Sequence, residues 1–138
     1  MITAPAPEML WETSDPGHEL RRRFGFETAG AAGEWATALL ADEYAITVRS
    51  VDRLVMSSAN LMIWVSGNRR LMIKVCAFGA GHDWLATRSA LVAWLADRGQ
   101  PVARPLATIT GDLQVRRDGW SIGVQPVPSR SAPGSTGW

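Results

Sequence analysis

The spacing of apolar residues changes along the chain, from helical periodicity near the front to two-residue alternation in the middle. From about Thr28 to Tyr44 the sequence is alanine-rich and places Trp35, Ala38, Leu39 and Asp42 on one side at three-and-four spacing. That predicts a helix, weakened in its first turn by Gly30 and Gly33. Residues 46–56 are β-branched and loosely alternating, and a slip of phase between Val48 and Val51 predicts a bulged antiparallel strand. Leu61-Met62-Ile63-Trp64-Val65 and the run from Arg70 to about Phe78 predict a hairpin through Ser66-Gly67-Asn68, with Gly67 and Asn68 supplying positive φ. Gly79-Ala80-Gly81-His82 breaks the run. Asp83 then has the chemistry of an N-cap for a helix to Arg98, with Leu85, Leu91, Val92 and Leu95 on one broad face and Trp94 at its margin. Gly99 and Pro101 stop that helix. Leu106 to Ile109 reads as a short extended piece, and Leu113–Arg117, Asp118-Gly119 and Trp120–Val127 as a closing hairpin.

These elements define an α+β domain: a five-stranded antiparallel sheet with one helix packed across it and a preceding N-terminal helix. Residues 1–27, rich in Pro, Ala and acidic side chains at the start, are expected to form a loosely held arm. Residues 28–128 form the folded lobe, and 129–138, of Ser/Pro/Gly composition, a linker tail. Arg21-Arg22-Arg23, between Glu19 and Glu27, reads as a solvated charged surface.

Composition narrows the class. With 138 residues, 46% hydrophobic and 20% charged, the chain is an ordinary globular domain. A formal net charge of +1 gives no reason to invoke nucleic acid or a membrane surface. The start has neither a basic nor an apolar leader segment, and no apolar stretch approaches the ~20 residues of a membrane span. The one cysteine, Cys76, reads as a small core residue of a protein in a reducing compartment, so the expected location is the cytoplasm.

The position that stands out is Lys74, the only lysine, inside the apolar run Leu71-Met72-Ile73-Lys74-Val75. A lysine rarely sits mid-strand in a core without an anion to meet. Strand alternation puts Met72 and Lys74 on one face and Leu71, Ile73 and Val75 on the other. The odd-numbered face is expected under the helix 83–98, leaving the even-numbered face to pair an apolar platform, Met72, with an ammonium, Lys74. The Ser57-Ser58-Ala59-Asn60 turn would lie over that face and offer hydroxyls and backbone N–H groups to phosphates.

Strand, turn, strand with internal lysine, then helix resembles the N-terminal lobe of the aminoglycoside phosphotransferases and their choline-kinase-like and homoserine-kinase-like relatives, of protein-kinase-like fold. The resemblance runs from about Arg49 to Gly134. It takes in Ser57-Ser58-Ala59-Asn60, the Leu71-Met72-Ile73-Lys74 strand, and Leu91-Val92-Ala93-Trp94-Leu95 followed by Arg98-Gly99-Gln100-Pro101-Val102. It also includes Gln125-Pro126-Val127-Pro128 and Pro133-Gly134. It implies a nucleotide site in which Lys74 neutralises phosphate oxygens, Met72 covers the adenine, Ser57, Ser58 and Asn60 approach the phosphates, and Gln125 and Val127 hold the base through backbone groups. ATP and Mg2+ are the cofactors it implies, and transfer of the ATP γ-phosphoryl group to a small-molecule hydroxyl is the activity of intact relatives. Two departures follow from the same alignment. The helix turn that carries a glutamate partner for the lysine in the family reads Arg88-Ser89 here, and the His-x-Asp-x-x-x-x-Asn catalytic loop occurs nowhere in the chain. The expectation is therefore a truncated phosphotransferase, the ATP-binding lobe without catalytic residues of its own. It would be completed by a C-terminal lobe in trans or paired as a homodimer through the exposed sheet face. The alternatives are a non-catalytic nucleotide- or partner-binding module and a non-functional gene remnant.

Other motifs carry less. Gly79-Ala80-Gly81 after a strand resembles a dinucleotide-binding turn, but Trp84 occupies the third glycine position, where close helix packing is needed. Gly119-Trp120-Ser121-Ile122-Gly123 matches a nucleophile elbow by letter, within a hairpin strand and with no later histidine. His82 reads as a surface or capping residue, and two histidines with one cysteine make no metal-ligand cluster. Trp64 and Trp94 occupy core-like positions, whereas Trp11 and Trp138 need not be buried.

Overall fold

The computed structural model describes residues 2–10 and 15–128. Three helices and a sheet of six strands follow in the order β1 (Glu8–Met9), α1 (Pro16–Phe24), α2 (Ala29–Tyr44), β2 (Ser50–Met56), β3 (Asn60–Ser66), β4 (Arg70–Cys76), α3 (His82–Asp97), β5 (Val115–Arg117) and β6 (Trp120–Pro126). The sheet order is β1-β2-β3-β4-β6-β5. The five expected strands are present, and β1 adds a sixth by running parallel to β2, so the sheet is mixed rather than wholly antiparallel. Sequence pattern could not show β1, because two paired residues carry no periodicity.

The core lies on the odd-numbered face of β3 and β4. Register sets Leu54, Ile63, Ile73 and Val124 side by side across four strands, and Met56, Leu61, Val75 and Ile122 in the next rung. All eight are essentially inaccessible. What covers them differs from the expectation. Leu20 and Phe24 of α1 and Ala32, Ala36, Leu39, Leu40 and Tyr44 of α2 complete this core, not the helix that follows β4. The segment expected as a loose arm therefore supplies a strand, a helix and two core side chains. On α2 the buried side is centred on Ala36 and Leu39, while Ala38 and Asp42 face solvent, so the stripe read from the sequence is rotated from the true one.

α3 takes the opposite face of the sheet and buries only Ala93. Leu91 and Trp94, expected in its packed face and at its margin, are 56% and 50% exposed, and Trp84 is 66% exposed. The N-cap of α3 is Gly81, with no side-chain cap; Asp83 instead sits in the first turn, where a carboxylate still complements the helix dipole. Gly99 adopts the left-handed conformation that ends the helix, with φ 80°.

Two turns show what a glycine is for. Asp118-Gly119 has φ of 54° and 78°, the paired positive angles of a two-residue hairpin, as its sequence predicts. Gly67 does not have positive φ. It is required because a Cβ there would stand 2.5 Å from the carbonyl oxygen of Thr47. The bulge in β2 falls between Val51 and Arg53, just beyond the expected slip. Residues 106–109 form no strand, although the Leu106 N–H bonds the Val124 carbonyl at 2.8 Å.

The arginine triplet is partly structural. Arg23 donates to Glu19 and, at 3.0 Å, to the carbonyl of Ser57, tying α1 to the β2–β3 turn. Arg22 lies 2.7 Å from the same carboxylate. Phe24, Phe26, Trp35 and Trp120 cluster in edge-on and tilted pairs with centroids 5.4–5.9 Å apart, locking both N-terminal helices to the last hairpin.

Candidate functional site

Between α3 and the even-numbered face of β4 lies a cleft of about 330 Å³. The Lys74 side chain lines it, directly opposite Gly123 of β6, where the Gln114 side-chain amide takes the space a Cβ would need, its Oε1 2.9 Å from that position. Arg88, Ser89 and Val92 of α3 form the facing wall. Burial, and secondarily the like charge of Arg88, hold the Lys74 ammonium below its ordinary range. Among the described residues no carboxylate pairs with Lys74, and no hydrogen bond reaches it. The turn that could have carried a glutamate thus presents a second cation.

The other site residues expected from the sequence divide. Asn60 and Gln125 line the cleft with Lys74. Met72 does not; it is buried within the sheet between Trp64 and Gln125. Ser57 and Ser58 stand outside the cleft wall, and Ser57 is engaged elsewhere, its N–H on Asn60 and its carbonyl on Arg23. The Val127 N–H donates to the Arg70 carbonyl at 3.0 Å, so it extends the β4 ladder. By antiparallel alternation the outward backbone groups near it belong to Pro126, which offers a carbonyl but no N–H. The Pro133-Gly134 element of the resemblance and the tail 129–138 lie outside the described residues, as do Trp11 and Trp138.

Sequence reading missed a polar chain along the back of the cleft. Ser89 Oγ donates to Gln114 Oε1 at 3.0 Å, Gln114 Nε2 to Ser121 Oγ at 3.0 Å, and Ser121 Oγ meets His82 Nδ1 at 2.9 Å. Ser121 is fully buried, so its hydroxyl is a linker between the α3 entrance and β6 rather than an exposed nucleophile. The four residues are spread over α3, β6 and the loop before β5, and no local spacing could have joined them. Cys76, expected in the core, also lines the cleft and is half-buried.

Among the described residues no group of three or more metal-ligating side chains comes together, and no carboxylate lines the cleft, so the lining does not fit an Mg2+ held beside a phosphate by one or two acidic side chains. No helix among them is long and apolar enough to cross a membrane.

No family model matches the sequence, and no curated protein matches it. Among solved structures the fold is similar to that of a spectinomycin phosphotransferase, APH(9)-Ia, determined in complex with ADP and spectinomycin. The TM-score is 0.56 at 17% identity, over 72% of this chain and 30% of that one. The likeness shows a shared mixed α+β fold, spanning less than a third of the neighbour's length.

Proposed function

We propose that this chain is the nucleotide-binding lobe of a small-molecule phosphotransferase of the aminoglycoside type. The observation that carries the reading is Lys74: a lone lysine on a central strand, directed into a cleft and lacking a carboxylate partner there, in a fold shared with an ADP-bound enzyme. An unpaired ammonium in a partly desolvated cleft is an unfavourable arrangement unless an anion completes it. Phosphate oxygens are the anions this fold suggests. Gln125 and Asn60 then flank the ligand, and the outward carbonyl of Pro126 can accept from an exocyclic amine of the base. The His-x-Asp-x-x-x-x-Asn loop that carries the catalytic base in such enzymes is absent from the sequence. Transfer to an acceptor hydroxyl would rest on a C-terminal lobe, in the same polypeptide or in trans. The absence of acidic groups around Lys74 equally suits a module that binds nucleotide without turning it over.

Cys76 provides the test, because the only thiol of the chain lines the same cleft. ATP should slow its alkylation by a maleimide, and Lys74→Ala should remove that protection and the calorimetric binding of ATP. Unchanged affinity in Lys74→Ala would take Lys74 out of the site.

A further inference from the structure

We infer that Arg88 and Lys74 together form a two-cation clamp for a polyphosphate, which binds without a divalent metal. The inference deepens the nucleotide reading above and rests on it. Three observations support it. Arg88 and Lys74 line one cleft from opposite walls, α3 and β4. They lie close enough for the charge of Arg88 to act on Lys74. Neither is neutralised: Arg88 makes no ion pair among the described residues, and its one noted contact is its guanidinium 6.0 Å from the Trp84 ring.

Two like charges gathered at a partly desolvated site repel each other, and an intervening anion turns that cost into attraction. A triphosphate suits the arrangement because it offers oxygens to both sides. The planar guanidinium can bind two of them at once, and the ammonium acts as a point charge on a third. In a metal-assisted site the ion would neutralise those oxygens and acidic side chains would hold the ion. Here the facing helix turn brings an arginine instead, and no aspartate or glutamate lines the cleft to hold a metal. The positive charge that Mg2+ would otherwise supply is built into α3.

The experiment is calorimetric titration of the full chain with ATP and, separately, with inorganic tripolyphosphate, each in EDTA and in excess Mg2+. The variants are Arg88→Gln, Arg88→Glu and, as a surface control, Arg104→Gln. Arg88 is exposed, so its variants should fold, and an unchanged Tm checks that. Both ligands should bind in EDTA, no more weakly than in Mg2+. Arg88→Gln should lose about tenfold in affinity, the scale of one charge-assisted hydrogen-bonded contact. Arg88→Glu should lose more, because the carboxylate would pair with Lys74 and withdraw both cations. Arg104→Gln should change nothing. ATP binding that needs Mg2+, or that Arg88→Gln leaves intact, would overturn the clamp while the nucleotide reading stood. Arg88-dependent binding of tripolyphosphate with no ATP binding would uphold the clamp and overturn the nucleotide reading. Binding of neither ligand would overturn both.

Discussion

Lys74 illustrates how one residue can cost stability by lining a cleft without a partner. Its ammonium is held below the ordinary lysine value of 10.5 by burial and by Arg88. The unfolded chain therefore holds that proton more tightly than the folded one, and the penalty is fully present at neutral pH. It is relieved as pH rises through the lowered folded value toward the unfolded one. Lys74→Met should accordingly raise Tm near pH 7, by an amount that shrinks on approaching about pH 10, while abolishing nucleotide binding. Thermal melts across that range check the sign; a variant less stable than the wild type at pH 7 would show that the ammonium has a stabilising partner. The lysine was legible in the sequence because it interrupts an apolar run. Its neighbours were only partly so: Arg88 could be placed on the right turn of the helix, but Gln114 and Ser121 carry no signal outside the assembled cleft.

At the level of elements, α1 shows a helix held by charge as well as by its apolar side. Glu19 is nearly inaccessible and accepts from Arg22 and Arg23. The hydrogen bond from Arg22, aided by Arg23, holds its carboxyl below the ordinary glutamate value of 4.5 despite some desolvation. A carboxylate with a lowered folded value contributes stability above its unfolded value, and that contribution is lost as pH falls through the folded one. Glu19→Gln should therefore melt earlier than the wild type at pH 7, and the two curves should converge below about pH 4. Because Arg23 also holds the Ser57 carbonyl, the variant should increase amide exchange in the β2–β3 turn. An arginine triplet in sequence reads as surface charge; the difference is Glu19, one helical turn away, which fastens it to the fold.

Over the whole molecule, the sheet divides two unlike environments. One face is sealed by α1 and α2, and the other carries the cleft and α3. The large exposed apolar side chains include Trp84, Leu91 and Trp94, which recur along α3 at three- and seven-residue spacing, together with Phe78 just before it. The sheet face expected to be exposed carries α3, and the exposed apolar side chains lie on that helix. Serine at Trp84, Leu91 and Trp94 together should raise the solubility limit, with Tm shifted by no more than a few degrees, since each is at least half exposed. A large fall in Tm would mean that α3 depends on these side chains for its seat. Arg98 lies 3.7 Å from the Trp94 ring centroid and shields part of that side chain, so Trp94 should be the most costly of the three.

The sequence by itself determined the order of elements from α2 onward, the strand alternation that separates Lys74 from Ile73, the Asp118-Gly119 hairpin and the stop of α3 at Gly99. All of these depend on residues within a few positions of one another, where backbone sterics and two- or three-residue periodicity act directly. Tertiary structure alone decided which helix seals which face. Leu20 and Phe24, far from β4 in sequence, outcompete the adjacent α3 for the odd-numbered face, because two N-terminal helices bury more apolar side chain there than one helix studded with exposed tryptophans. That choice leaves α3 free on the opposite face and sets Arg88 beside Lys74, a juxtaposition of charges that no periodicity encodes.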